Sequence, residues 1–278
     1  MFQGRKLLIV TKHNKEQVIA PVLEDKLGVE CFVSNLFDTD VLGTFTGEVD
    51  RESDSFTTVK NKCLMAMELV GCDMAIASEG SFGSHLSIPF IPADDELVFL
   101  FDKKNNLEFI ARELSTDTNF NGVAICTNDE LVDFANSVKF PSHGLIIKKS
   151  KDDFTELKKG ITDWNHLQDS FQYFVQKYGT AFVETDMRAM YNPTRMDVIK
   201  KAVEKLAIRI NSLCPNCGTP GFGITNSKLG LPCSLCRFPT RSTLSYMYSC
   251  QRCDFIQEKM YPHGKITEEP TYCDICNP

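Results

Sequence analysis

Cys214-Pro215-Asn216-Cys217, Cys233-Ser234-Leu235-Cys236, Cys250-Gln251-Arg252-Cys253 and Cys273-Asp274-Ile275-Cys276 fall within the last quarter of the chain. Two residues between cysteines let one tight turn aim both sulfurs at one ion. Two such turns complete a tetrahedron with Zn–S near ~2.3 Å. The stretches between successive pairs are 15, 13 and 19 residues long, and all eight cysteines fit between 214 and 276. Such density points to metal ligation, not to a redox dithiol. The expectation is two structural zinc ions in closed all-thiolate sites, with rubredoxin-type iron as the competing metal. Short loops predict pairing in chain order: Cys214, Cys217, Cys233 and Cys236 on one ion, and Cys250, Cys253, Cys273 and Cys276 on the other. A crossed arrangement would use the same eight ligands. Pro215, Gly218 and Asp254 suit the turns, and His263 reads as an exposed loop residue.

The remaining cysteines, Cys31, Cys63, Cys72 and Cys126, sit singly among apolar neighbours and read as small buried hydrophobes. Hydrophobic residues make up 42% of the 278, and charged residues 24%, as in an ordinary globular protein. The apolar run Leu7-Leu8-Ile9-Val10 is too short for a secretory segment, and no stretch approaches a membrane span. The expected setting is therefore the cytoplasm, with reduced thiols. A net charge of −7 argues against general attraction to duplex DNA or to an anionic membrane. From residue 211 onward six cations face five acids, and two zinc tetrathiolates would bring the module to about −3. Contact with a protein partner through this module stays open.

Composition changes near residue 212, which places a domain of residues 1–212 before a module of residues 213–278. The first region reads as α/β, a mixed sheet with flanking helices. Strands are expected at 6–11, 29–33, 73–78, 122–126, 145–148 and 180–184. Residues 96–102 and 107–114 read as a hairpin around Lys103-Lys104-Asn105-Asn106. Helices are expected at 18–27 despite Pro21, and at 56–70, 130–138 and 167–178. The clearest helix opens at Asn192-Pro193, a cap followed by a first-turn proline. It continues as the apolar stripe Ile199, Ala202, Val203, Leu206, Ile210 and Leu213.

Four polar clusters lie where strands should end. Thr11 to Glu16 follows the first strand, where backbone N–H groups, His13 and Lys15 would meet phosphate. Asp38-Thr39-Asp40 and the turn-rich 43–51 offer carboxylates for Mg²⁺. Ser78 to His85 reads as a Gly-rich loop that presents Glu79 as metal ligand or general base. Arg195, in the first turn of a capped helix, is misplaced for the helix dipole and suited to phosphate. Each cluster also has a plain reading as a solvated loop.

Most of the chain resembles an uncharacterised bacterial family, a domain of unknown function with this combination of core and terminal cysteine pairs. That resemblance implies no activity. More distantly, the first region resembles the inosine/xanthosine triphosphate pyrophosphatases. The likeness rests on Thr11-Lys12-His13, Asn61-Lys62-Cys63, Ser78-Glu79-Gly80, the hairpin, and Thr194-Arg195 before the amphipathic helix. It departs in having His13 where that family has Asn and Lys15 one residue early. The resemblance implies Mg²⁺-dependent hydrolysis of a nucleotide phosphoanhydride. His13, Lys15 and Arg195 would sit on phosphate, Glu79 would be the catalytic acid, and Asp40 a second acid. The alternative is a non-catalytic, zinc-stabilised binding or sensing protein, whose first domain senses a nucleotide or contacts a partner.

Overall fold

The computed structural model describes residues 1–37, 54–85 and 87–278. Asp38, Asp40 and the rest of the second polar cluster lie outside the described residues. The chain divides into two compact units, Met1–Ala207 and Ile208–Pro278.

The first unit holds two sheets. Strand β1 (Lys6–Val10) leads into helix α1 (Glu16–Leu27) and the parallel strand β2 (Glu30–Phe32). Helix α2 (Ser55–Val70) precedes β3 (Met74–His85), which runs parallel to β1 on its other side. Strands β4 (Ile88–Asp102) and β5 (Leu107–Ser115) then add on antiparallel, giving the order β2-β1-β3-β4-β5. The second sheet contains β6 (Gly122–Ile125), β7 (Leu145–Ser150), β8 (Asp153–Ile161) and β9 (Ala181–Thr185), ordered β6-β9-β7-β8 and wholly antiparallel. Helices α3 (Asn128–Ser137) and α4 (Trp164–Tyr178) belong to this second half. Helix α5 (Pro193–Asn211) follows, and its last turn belongs to the second unit. The expected mixed α/β architecture is thus what forms.

Local chemistry sets these boundaries. Asp54 caps α2 by accepting from the N–H groups of Phe56 and Thr57, and Gly71 ends it in the left-handed conformation. Thr127 and Glu130 form a reciprocal capping box on α3. Helix α2 lays Val59, Cys63, Ala66 and Met67 on one face of the first sheet, against Leu8, Val10, Ala75, Ala77 and Phe99. Burying the larger of these side chains, such as Val59, Met67, Leu8 and Phe99, contributes about 1.5–3 kcal/mol each.

Several expectations change. Ser78 to His85 is strand, not loop, because it pairs continuously with β4 from Ser78↔Val98 to Ser84↔Pro92. Its small residues belong to a long hairpin in which neighbouring groups approach closely. Strand β8, a Lys-bearing edge, carried no clear alternation and was not expected. Leu213 lies beyond the end of α5 and is 58% exposed. Of the scattered cysteines only Cys63 is buried, and Cys126 is exposed at the start of α3.

The second unit is a three-stranded antiparallel sheet of β10 (Gly223–Leu229), β11 (Thr243–Ser249) and β12 (Ile256–Met260). The cysteine pairs occupy the turns before, between and after these strands.

Candidate metal centres and a buried ionic cluster

In each of three cysteine turns the residue after the second cysteine is left-handed: Gly218 (φ +69°), Arg237 (φ +61°) and Asp254 (φ +53°). That conformation folds the chain back so that Cys214, Cys233 and Cys250 each donate their N–H across the turn, to Thr219, Phe238 and Phe255. Eight sulfurs then gather in two groups. Cys214, Cys217, Cys250 and Cys253 form one, and Cys233, Cys236, Cys273 and Cys276 the other. Within each group the ligand atoms all lie within 4.8 Å of one another.

This corrects the pairing in chain order. The ligand set is the expected one, but the arrangement is crossed. Sheet register explains why. Gly223 at the start of β10 faces Ser249 at the end of β11, so the first turn lies beside the third. Ser245 near the start of β11 faces Met260 at the end of β12, which brings the fourth turn to the second. The first and second turns are held apart by seven residues of β10, about 24 Å of strand.

The donor sets fit zinc. A tetrahedron with Zn–S of ~2.3 Å has edges of about 3.8 Å. Sulfur separations are 3.7 Å for Cys214–Cys253, 3.6 Å for Cys217–Cys250, 3.9 Å for Cys233–Cys276 and 3.5 Å for Cys236–Cys273. None of the eight is in a disulfide. Backbone N–H groups of Leu235 and Arg252 point at Cys233 and Cys250 sulfurs, each at 3.4 Å, which offsets thiolate charge. Phe222, Tyr248 and Phe255 pack around the first centre. These aromatic residues act as a small core.

In the first unit, an ionic cluster is buried across β3 and β4. Alternation along β3 sends Ser78 and Glu79 to opposite faces. Glu79, 2% exposed, faces α2 and pairs with Lys62 Nζ at 2.5 Å. On the other face Lys15 donates to Ser78 Oγ at 2.8 Å. Burial, with the charge of Arg195 behind it, lowers the Lys15 pKa to about 7.

Arg195 is fully buried. Its Nε donates to Glu96 Oε1 at 2.6 Å, Nη1 donates to the Met187 carbonyl, and the guanidinium lies 5.0 Å from the Phe82 ring centre. Gly80 permits this: a Cβ there would sit 2.2 Å from Glu96 Oε1 and 2.7 Å from Arg195 Nη2. Asn192 caps α5 by accepting the Arg195 N–H at 3.0 Å, as its sequence implies. His143 Nε2 lies 3.3 Å from the Thr194 backbone nitrogen and 2.9 Å from Thr194 Oγ1, and Nδ1 lies beside Ser142 Oγ at 3.0 Å.

The structure therefore brings Lys15 and Arg195 to one face and sets Glu79 on the other, still within the electrostatic reach of Lys15. His13 is half-buried in the turn that carries Lys15, and its N–H donates to Thr11 Oγ1. Asp186 and Arg188 pair with each other through two contacts of 3.0 and 2.6 Å, a separate structural tie. Lys62 stands in the Asn61-Lys62-Cys63 motif, whereas Asp94, Glu96 and His143 stand in no motif of the sequence. The acids carried one signal: Asp94 and Glu96 stand two apart in a strand, on one face, where an apolar alternation should run. A cavity of about 370 Å³ adjoins the turn after β1, lined by Thr11, Lys12, Asn14 and Glu16 and by residues 33–35 and Phe37 after β2. Among the described residues no helix is long and apolar enough to cross a membrane.

Fold and centres together define a mixed α/β protein joined to a double four-cysteine ribbon. The chain belongs to the family described as "Domain of unknown function (DUF6671)", which matches residues 62–278. No curated protein matches it. Among solved structures it has a slight likeness to the crystal structure of protein VC0702 from Vibrio cholerae. That match has 10% identity and a TM-score of 0.32, and covers 74% of this chain and 94% of the other. A likeness that slight says nothing further about this chain.

Proposed function

We propose that the first unit binds a phosphate-bearing small molecule, a nucleotide by preference, and hydrolyses its phosphoanhydride, while the ribbon is held by two structural zinc ions. The observation that carries this reading is the cavity walled by the turns that follow the parallel neighbours β1 and β2. In α/β sheets that crevice beyond the strand ends is where ligands bind. Thr11, Lys12 and the backbone of the turn would meet phosphate oxygens, with His13 as a further donor. Lys15 supplies charge from beneath, and because it gives up a proton near neutrality it can gain one as an anion arrives. Arg195 acts from the interior by fixing Glu96. Glu79 would activate water or hold Mg²⁺ once its contact with Lys62 opens, and Asp40 is the second acid of this reading. When bound with the phosphates, Mg²⁺ would supply charge neutralisation.

One observation favours the sensing alternative. Glu79, Glu96 and Arg195 are all at most 2% exposed and already ion-paired, which a binding protein can keep and a hydrolase must open. A thermal-shift panel of nucleotides, with and without Mg²⁺, tests both readings. A ligand at a hundred times its Kd adds about 2.7 kcal/mol. For a unit of this size that is a rise of roughly 5–10 °C. Binding with release of pyrophosphate or phosphate that Glu79→Gln abolishes supports the hydrolase. Binding without turnover supports the sensor. No shift with any nucleotide ends both.

A further inference from the structure

Among the described residues of the first unit, deeply buried acids carry hydrogen-bonding partners, and Asp94 departs from this. Asp102, fully buried, receives two donors from Arg5 at 2.6 and 2.8 Å and another from Asn105. Asp186, fully buried, receives Arg188 and the Gly160 N–H. Glu79 receives Lys62. Asp94 is as deep, 1% exposed, yet neither of its carboxylate oxygens has a hydrogen-bond partner among the described residues. Its strand neighbour Glu96, 0% exposed, spends Oε1 on Arg195, and its Oε2 has no such partner.

Two residues apart on β4, these side chains project from the same face, opposite Phe82 and Gly80 of β3. An unsatisfied carboxylate in a protein interior costs several kcal/mol, and a second one beside it raises the cost. Burial and the neighbouring Glu96 accordingly push the Asp94 pKa up to about 8. A proton relieves part of that cost. A cation would relieve more, because it also occupies the second carboxylate.

We infer that Asp94 and Glu96 form a divalent-cation site of hard oxygen character, taking Mg²⁺ or Mn²⁺ between the Asp94 carboxylate and Glu96 Oε2. The chemistry of the donors selects the ion. Oxygen ligands suit Mg²⁺ and Mn²⁺, and Mg²⁺ is commonly held by one or two carboxylates with water or phosphate completing the shell. The eight thiolates of the ribbon prefer soft metals, so the two kinds of site do not compete. The groups that face Asp94 from other elements are Arg195 on α5 and Lys15 before α1. Arg195 pairs with Glu96. Lys15 sheds its proton readily, which lowers repulsion toward an incoming ion. Only the completion of the shell by phosphate depends on the function proposed above. The site itself is testable without any nucleotide.

The experiment is a titration of the zinc-loaded full chain with Mn²⁺ alone, in chelator-free buffer, followed by loss of the free-Mn²⁺ electron paramagnetic resonance signal. One Mn²⁺ should bind per chain at about millimolar or lower concentration. Asp94→Asn and Glu96→Gln should each weaken binding at least about tenfold. Asp152→Asn, an exposed acid, should leave it unchanged. Circular dichroism and zinc content verify that each variant is folded. Absence of Mn²⁺ binding to the wild-type chain at millimolar concentration overturns the inference, whatever the variants do. So does a folded Asp94→Asn that binds Mn²⁺ like wild type. Nucleotide binding that persists without any divalent ion would leave the phosphate reading standing after such a failure.

Discussion

Replacing Gly80 with alanine adds one methyl group at a crowded, buried point of the first unit. The new Cβ would lie 2.2 Å from Glu96 Oε1 and 2.7 Å from Arg195 Nη2, well inside contact distance. Neither side chain can swing into solvent, since both are 0% exposed. If the ion pair shifts as a unit, the cost is that of overpacking, about 1–3 kcal/mol. If the contact between Arg195 Nε and Glu96 breaks, the buried charges lose each other and the cost rises to about 3–5 kcal/mol. For a unit of roughly two hundred residues each kcal/mol is worth about 2–4 °C. Gly80→Ala should therefore lower Tm by roughly 2–20 °C in a calorimetric or dye-based melt, with zinc content unchanged. Glu96→Asp withdraws the carboxylate by one methylene, so the same Gly80→Ala change should cost clearly less in that background. A Gly80→Ala protein melting within about 1 °C of wild type would refute the account of this glycine. So would a cost that Glu96→Asp leaves untouched.

Crossed metal ligation makes a sharp stoichiometric forecast. Cys217→Ser with Cys250→Ser damages one centre and should leave one zinc per chain, whereas Cys217→Ser with Cys233→Ser damages both and should leave none. Metal analysis showing the reverse pattern would restore pairing in chain order. Lys15 gives a pH dependence with a definite sign. Its folded pKa of about 7 lies below the unfolded value of about 10.4, so the folded state binds fewer protons between those limits. Wild-type stability then carries a penalty that grows as pH falls through that window, by up to about 1.4 kcal/mol per unit. Lys15→Met removes the titration, so its Tm relative to wild type should be higher at pH 7.5 than at pH 9.5. A difference that does not change between those pH values would contradict the burial of this amine.

Some of this protein was legible without coordinates because the information is local. A Cys-x-x-Cys turn is complete within four to six residues, and Gly218 and Asp254 advertise the left-handed step that closes it. Asn192-Pro193 announces a helix start, and the apolar stripe behind it announces a buried face. The alternation on either side of Lys103 to Asn106 announces a hairpin.

What stayed hidden depends on partners distant in sequence. Which cysteine pairs share an ion was decided by antiparallel register, which puts the first turn beside the third and the second beside the fourth. Loop length alone argued the other way. Ser78 to His85 looked like a loop because its glycines weaken a strand locally, and only the pairing with β4 makes it one. Lys15, Glu96 and Arg195 are separated by up to 180 positions in the chain, and Asp94 has no local feature to mark it beyond standing two residues from another acid in a strand. Their chemistry comes from burial and mutual proximity, and both are created only when the first sheet and α5 close around them. Local geometry is written in neighbouring residues. The cost of burying charge, and therefore the shape of the ionic cluster, is set by the tertiary fold.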